Sequence, residues 1–113
     1  MIQATVVTKE IDPQGPGLVE EIFAWFEARH DRVARIVCGG AKHLKVLQHH
    51  DCFEATLPDD HPHEEAGGVS KGVIFGARVY RSKQLEPNVI QAEGQALTDT
   101  SAPVNTCIFV ERR

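Results

Sequence analysis

In the second half of the chain, apolar and polar positions alternate with the period of two that is typical of a half-buried β-strand. The alternation extends from Gly72 to Ser82. One face of this predicted strand carries Val73, Phe75, Ala77 and Val79, and the other carries Ile74, Gly76, Arg78 and Tyr80. Pro87 and Asn88 then favour a turn, and residues 89–92 form a second β-rich run. The pattern predicts a two-stranded ribbon around which the other elements are arranged.

Helical spacing of apolar residues occurs twice in the first half of the chain. Between Leu18 and Arg29, apolar side chains recur every three or four positions and glutamates occupy the opposite face. Residues 41–48 repeat this pattern over a shorter length, and residues 53–57 are expected to extend or cap that second helix. The sequence therefore predicts two amphipathic helices.

Shorter apolar runs at residues 2–11, 33–38 and 106–110 predict three further strands. The segment 58–68 is polar and contains proline and glycine, which predicts an exposed loop. With 113 residues the chain has a common length for one domain. Together the elements predict a single α+β domain over residues 1–113, with a mainly antiparallel β-sheet and the two helices packed on one of its faces.

Composition and charge narrow the expected environment and partners. Hydrophobic residues make up 42% of the chain and charged residues 25%, as in ordinary globular proteins. No apolar run approaches the roughly 20 residues of a membrane span, and the N-terminus lacks a signal-peptide pattern. The net charge is −4 and the basic residues are dispersed, whereas nucleic-acid binding requires a clustered basic surface. We expect an intracellular protein whose partner is another protein or a second copy of itself, and neither nucleic acid nor a membrane.

The three cysteines, Cys38, Cys52 and Cys107, are odd in number and widely spaced, which predicts buried, free thiols in a reducing compartment. Cys38 precedes two glycines, and its thiolate could act as a nucleophile with His43 as the base. A cysteine within an apolar strand is more often a small buried hydrophobe, and we prefer that interpretation. No catalytic residue is therefore assigned.

Histidine, cysteine and carboxylate side chains suggest one other chemistry, a divalent metal site. The candidate ligands are Cys38, His43, His49, His50, Asp51, Cys52, Asp59, Asp60, His61, His63, Glu64 and Glu65. They lack the close cysteine pair of a structural zinc site and the two histidines on one helical face of a catalytic one. We therefore predict no metal and no other cofactor, and we interpret the segment 58–68 as a solvated acidic loop.

Aromatic and charged side chains indicate where a partner is expected to bind. Phe23, Trp25 and Phe26 are predicted to be core residues of the first helix, with an exposed recognition patch as the alternative. The predicted interface is instead the second face of the ribbon together with the acidic loop beside it. Its residues are Ile74, Arg78, Tyr80, Arg81, Asp59, Asp60, Glu64 and Glu65.

The order of elements from Gly17 to Ala92 resembles part of the major capsid protein fold shared by tailed phages, encapsulins and herpes-type viruses. The resemblance is carried by the second helix, residues 41–47, and by the strand pair with its connection, residues 74–88. Its most specific positions are Gly76, Ala77, Val79, Ser82, Leu85 and Pro87. A whole capsid subunit is much longer and has an N-terminal arm and an extended loop, so the resemblance implies a reduced or excised piece. It implies assembly surfaces and no catalytic residues.

Three functional hypotheses follow from the sequence. The first is a non-enzymatic structural protein, related to a phage virion or capsid, that acts by self-association or by docking on a larger assembly in the host cytoplasm or the virion. The second is a small acidic binding or inhibitory module, of the kind a phage encodes as a regulator, that occupies a basic surface on another protein. The third is a metal-dependent enzyme that uses the histidine and cysteine set.

Overall fold

The structure is a computed structural model that describes residues 6–11, 17–55, 64–65, 68–96 and 104–111. In chain order its elements are β1 (Val6–Ile11), α1 (Leu18–Glu27), β2 (Asp31–Cys38), α2 (Ala41–Gln48), β3 (Phe53–Ala55), β4 (Glu64–Glu65), β5 (Gly68–Ile74), β6 (Ala77–Ser82), β7 (Val89–Ala96) and β8 (Asn105–Glu111). Both helices occur where helical spacing predicts them, although α1 ends at Glu27 and not at Arg29. Neither helix of the described residues has the length and apolar character needed to cross a membrane.

The strands of the described residues form one mixed sheet in the order β1-β8-β7-β2-β6-β5-β3, with β4 paired to β5 outside this path. Two of the pairings, β1 with β8 and β2 with β6, are parallel. The pairings of β2 with β7, β7 with β8, and β5 with β3, β4 and β6 are antiparallel. The predicted α+β class with a mainly antiparallel sheet is therefore confirmed.

Two strand–helix–strand connections place the helices. Strands β1, β2 and β3 run in the same direction, and α1 and α2 connect them in turn while the chain advances across the sheet. Because such connections are right-handed, two that advance in the same direction put their helices on the same face. Ile22 and Phe26 of α1 and Leu47 of α2 accordingly share one buried cluster with Ile36 and Ile90 from the centre of the sheet. The packing of both helices on one face is confirmed.

The aromatic residues of α1 divide between the core and the surface. Trp25 and Phe26 are buried, with ring centroids 4.7 Å apart in an edge-to-face arrangement, and the guanidinium carbon of Arg29 lies 3.7 Å from the centre of the Trp25 ring. Phe23 is only half-buried. The core assignment is confirmed for Trp25 and Phe26, whereas Phe23 contributes to the surface described below.

The predicted ribbon of residues 72–92 is wrong in two respects. The alternation from Gly72 to Ser82 is not one strand, because a turn at Phe75 and Gly76 folds it into the antiparallel pair β5 and β6. The run at 89–92 belongs to β7, which pairs with β2 and β8 and not with β6. β2 lies between β6 and β7 because Ile36, Val37 and Cys38 are apolar on both faces, which favours a central position in the sheet.

Two neighbouring segments also differ from expectation. Residues 53–55 form β3 and do not extend α2, because their backbone pairs with β5. The predicted loop 58–68 lies mainly outside the described residues, although Glu64 and Glu65 form β4 and Gly68 begins β5.

Gly39 and Gly40 allow the connection between β6 and β7 to cross the end of β2. A β-carbon added to Gly39 would lie 2.0 Å from the Glu86 carbonyl oxygen, and one added to Gly40 would lie 2.3 Å from the Pro87 carbonyl oxygen. The Gly39 N–H donates a hydrogen bond of 2.9 Å to the Val89 carbonyl. These glycines are therefore required by the close approach of the two backbone segments.

Candidate functional site

The turn between β5 and β6 has an unusual residue at its first position. Ile74 and Ala77 pair across the turn, and the two residues between them, Phe75 and Gly76, have φ angles of +47° and +81°. Two-residue hairpin turns of this handedness match the twist of the strands, and they favour asparagine or aspartate followed by glycine. Gly76 fits this rule, but a phenylalanine in the left-handed region is uncommon because its β-carbon crowds the following carbonyl.

Phe75 is held over α1 by two other rings. Its ring centroid lies 5.2 Å from that of Phe23 and 5.4 Å from that of His50, both in edge-to-face geometry. Edge-to-face pairs of this kind contribute about 0.5–1.5 kcal/mol beyond the burial of area. Phe75 nevertheless remains 54% exposed. The contacts orient the ring and leave about half of the residue exposed.

A groove of about 590 Å³ lies between α1, the start of β2 and the Phe75 turn. Its lining residues are Val19, Glu20, Phe23, Ala24, Glu27, Asp31, Arg32, Val33 and Phe75. The lining includes apolar side chains from α1, β2 and the turn, and charged side chains from α1 and β2. This combination of concave apolar surface and a few polar groups is typical of binding sites. We refer to these residues as the Phe75 groove.

The charges at the Phe75 groove are mostly negative. The Glu20 side chain is 68% exposed, with its Oε1 3.4 Å from His50 Nε2. Glu27 is exposed, and Asp31 is buried and accepts a 2.8 Å hydrogen bond from Asn105 Nδ2. Against these three carboxylates the groove has one guanidinium, that of Arg32, which lies next to Gly76. The groove therefore presents an excess of negative charge.

The structure separates the residues of the predicted ribbon interface. Ile74 is 0% exposed and belongs to the core cluster, so its assignment to an exposed surface is wrong. Tyr80 is also 0% exposed, on the face of the sheet opposite the helices. Arg81 pairs with Cys38 and lies on the helix side with its Nε buried. Since the turn at Phe75 reverses the chain, the alternation does not continue through it, and the four residues do not form one surface. Only Arg78 and Tyr80 line a common pocket, on the open face of the sheet.

Arg78 is the exposed member of that set and lies on the open face of the sheet. It pairs with Arg35 across the parallel strands β6 and β2, at a shallow pocket of about 220 Å³ that also contains Glu93. Arg35 donates from Nε to Glu93 Oε2 over 2.8 Å, and its Nη2 contacts the same oxygen. The pocket thus contains an internally neutralised ion pair beside one further arginine.

The acidic part of the predicted interface lies partly outside the residues that the structure describes. Asp59 and Asp60 lie outside the described residues. Glu64 and Glu65 form β4 by backbone pairing with Val69 and Gly68. Their assignment as interface residues stays a prediction.

The histidines and cysteines do not converge within the described residues. No group of three histidine, cysteine, aspartate or glutamate side chains there is placed to hold a metal ion, and His61 and His63 lie outside this part of the chain. All three cysteines are free, as predicted. The predicted burial is confirmed for Cys38 and Cys107 and is wrong for Cys52, which is exposed in the turn between α2 and β3. Burial raises the pKa of the Cys38 thiol to about 12, which opposes formation of a nucleophilic thiolate at neutral pH.

The Phe75 groove does not follow from the sequence pattern. Period-two alternation through residues 72–82 places Phe75 on one strand face with Val73 and Ala77, whereas the turn removes it from that face. The sequence signal for the turn is Gly76, which follows Phe75 and separates two short β-rich runs.

Comparison with known protein families, with curated proteins and with solved structures gave no match.

Proposed function

We propose that this chain is a non-catalytic structural protein that docks on a larger protein assembly through the Phe75 groove. The observation that carries the proposal is the exposed Phe75 ring, which occupies a left-handed backbone conformation at the tip of a hairpin. That conformation costs a residue other than glycine about 1–2 kcal/mol. Strain of this kind at an exposed position favours a binding role over a role in stability alone.

The energetics of docking support the same surface. Covering an aromatic ring of this size contributes about 2 kcal/mol, and such anchors dominate protein interfaces when they enter a pocket on the partner. Phe75 lines the same groove as the apolar side chains of Val19, Phe23 and Val33. A partner segment inserted there covers both Phe75 and the half-buried Phe23 at once.

The proposed assembly is a virion or capsid-related structure. The resemblance to tailed-phage capsid proteins includes Gly76, Ala77 and Val79, which form the second half of the turn and the start of β6. The same hairpin therefore carries both the resemblance and the exposed ring. In this proposal the protein acts in the host cytoplasm or in the virion.

The test is site-specific cross-linking in the cells that naturally produce the protein. A photoreactive phenylalanine analogue replaces Phe75, and a control replaces Val46, which is 44% exposed on α2 and distant in sequence from the groove. After irradiation, lysates are sedimented and the cross-linked products are located by mass spectrometry. We expect a product from position 75, and none from position 46, in the fast-sedimenting fraction that contains large assemblies.

Two results contradict docking on an assembly. One is equal cross-linking from positions 75 and 46, which shows that the groove has no special role. The other is a slowly sedimenting complex of one copy with one other protein. That result favours the second candidate function, an acidic binding or inhibitory module, which is supported by the carboxylates of Glu20, Glu27 and Asp31 at the groove.

A further inference from the structure

The acidic side chains of the Phe75 groove follow a regular arrangement along α1. Glu20, Phe23, Ala24 and Glu27 are spaced by three, one and three residues, so they lie on one stripe of the helix. The apolar pair Phe23 and Ala24 is therefore flanked by a carboxylate one turn before it and another one turn after it. A segment that lies along this stripe meets apolar surface in its middle and negative charge at both ends.

These carboxylates are poorly neutralised by the described residues. Glu27 makes no side-chain ion pair or hydrogen bond within the part of the chain that the structure describes. Glu20 has His50 as its neighbour, at 3.4 Å, and this imidazole is a cation only when protonated. The charge is available to an incoming cation, and complementary charge at the rim of an interface increases both specificity and the rate of association.

The same charges disfavour a second copy of the chain as the occupant. In a symmetric pair formed through this groove, Glu20 and Glu27 of one copy face the same residues of the other, and like charges brought together in an interface are costly. The whole chain also carries a net charge of −4. The complementary occupant is a different protein with positive charge.

We infer that the Phe75 groove binds an apolar segment of a partner protein that carries lysine or arginine beside its apolar anchor. The apolar anchor contacts Phe23 and Phe75, and the basic side chain reaches Glu20 or Glu27. A volume of about 590 Å³ accommodates a few side chains of such a segment. This inference rests on the proposed docking function and adds the chemistry of the partner.

The experiment selects ligands from a random-peptide display library on the immobilised wild-type protein, with counter-selection on Phe75→Asn. Selected peptides are titrated by fluorescence anisotropy against the wild type and against the double variant Glu20→Gln with Glu27→Gln. The control double variant is Glu54→Gln with Glu86→Gln, which removes the same charge from exposed positions outside the groove. We expect peptides that combine an apolar residue with lysine or arginine, and an affinity loss of about tenfold at low salt for the groove variant only.

The outcomes separate the two proposals. If Phe75-dependent peptides show no enrichment of lysine and arginine, or bind both double variants equally well, the inferred partner chemistry is wrong while groove docking stands. If no selected peptide depends on Phe75, docking through the groove is itself wrong. If the protein self-associates in sedimentation velocity and Phe75→Asn abolishes this, the occupant is a second copy and the inference is overturned.

Discussion

At the scale of single residues, His43 has the most unusual environment among the described histidines. It lies in the first turn of α2 and is 2% exposed. Its Nε2 is 3.5 Å from Glu111 Oε2, while Lys42 Nζ lies 2.9 Å from the other oxygen of that carboxylate. Burial lowers the pKa of His43 below its usual 6.5; Glu111 opposes this shift and Lys42 adds to it. The imidazole is therefore neutral in the folded protein at neutral pH.

This environment predicts a pH-dependent loss of stability. Below about pH 6.5 the unfolded chain binds a proton at residue 43 that the folded chain resists, so the free energy of unfolding decreases as the pH falls through this window. The slope due to this residue is at most about 1.4 kcal/mol per pH unit and ends below the folded pKa. His43→Gln should remove it, and the control His49→Gln, at an exposed position, should not. Urea unfolding of the three proteins across this range measures the difference; equal slopes for wild type and His43→Gln contradict the prediction.

At the scale of elements, two requirements conflict at position 75 of the hairpin β5–β6. The backbone conformation favours one type of residue, and the binding surface favours another. The turn favours asparagine at position 75, whereas an exposed binding surface favours an aromatic ring. Phe75 satisfies the second requirement at the expense of the first. Its contacts with Phe23 and His50 recover part of the conformational cost.

Two substitutions at position 75 distinguish the effect of backbone conformation on stability from the effect of the ring on docking. Phe75→Asn and Phe75→Ala both remove the ring, but asparagine adopts the left-handed conformation more readily than alanine. We expect Phe75→Asn to have a free energy of unfolding about 0.5–1 kcal/mol higher than that of Phe75→Ala, with both deficient in docking. Denaturant unfolding and the peptide titration described above measure the two effects. Equal stability of the two variants contradicts the proposed strain at the turn.

At the scale of the whole molecule, the order of the strands along the chain differs from their order in the sheet. β1 pairs with β8 in parallel, which joins the first and last described strands, and β2 from the first half separates β6 from β7. β2 pairs with β7 from Asp31 to Cys38 and with β6 from Arg35 to Cys38, whereas the outer side of β1 has no strand partner within the described residues. The centre of the sheet therefore combines elements from both halves of the sequence.

This topology predicts the pattern of amide hydrogen exchange. Amides of β2 and β7 should exchange slowest, because opening them disrupts pairings on both sides and the core beneath. Amides of β1 and β3 should exchange faster, since these strands are at the ends of the strand order. β8, which adjoins β1 but is paired on both sides, serves as the internal control and should resemble β7. Exchange of β1 as slow as that of β2, measured by NMR, contradicts this assignment of stability.

The sequence predicts a helix or strand correctly where its local pattern fits only one type of secondary structure. The helical spacing of Leu18, Ile22 and Phe26 determines α1 and the face it buries, and the run ended by Gly39 and Gly40 determines where β2 stops. The turn at Phe75 is not evident from the sequence, because the aromatic residue at its first position replaces the asparagine that usually marks such a turn. The apolar character of Phe53 fits both a helix extension and a strand, so only its pairing with β5 decides between them.

The sequence by itself determined the α+β class, the two helices, the buried thiols of Cys38 and Cys107 and the core position of Phe26, because hydrophobic period and side-chain type act over a few neighbouring residues. Only the tertiary structure decided that β2 separates β6 from β7, that Ile74 is buried and Phe75 exposed, and that Glu20 and Glu27 flank an apolar groove. Strand order and the joining of α1 to a distant hairpin depend on contacts between residues far apart in the chain. Such contacts follow from the packing of the whole sheet and leave no periodic signal in either segment.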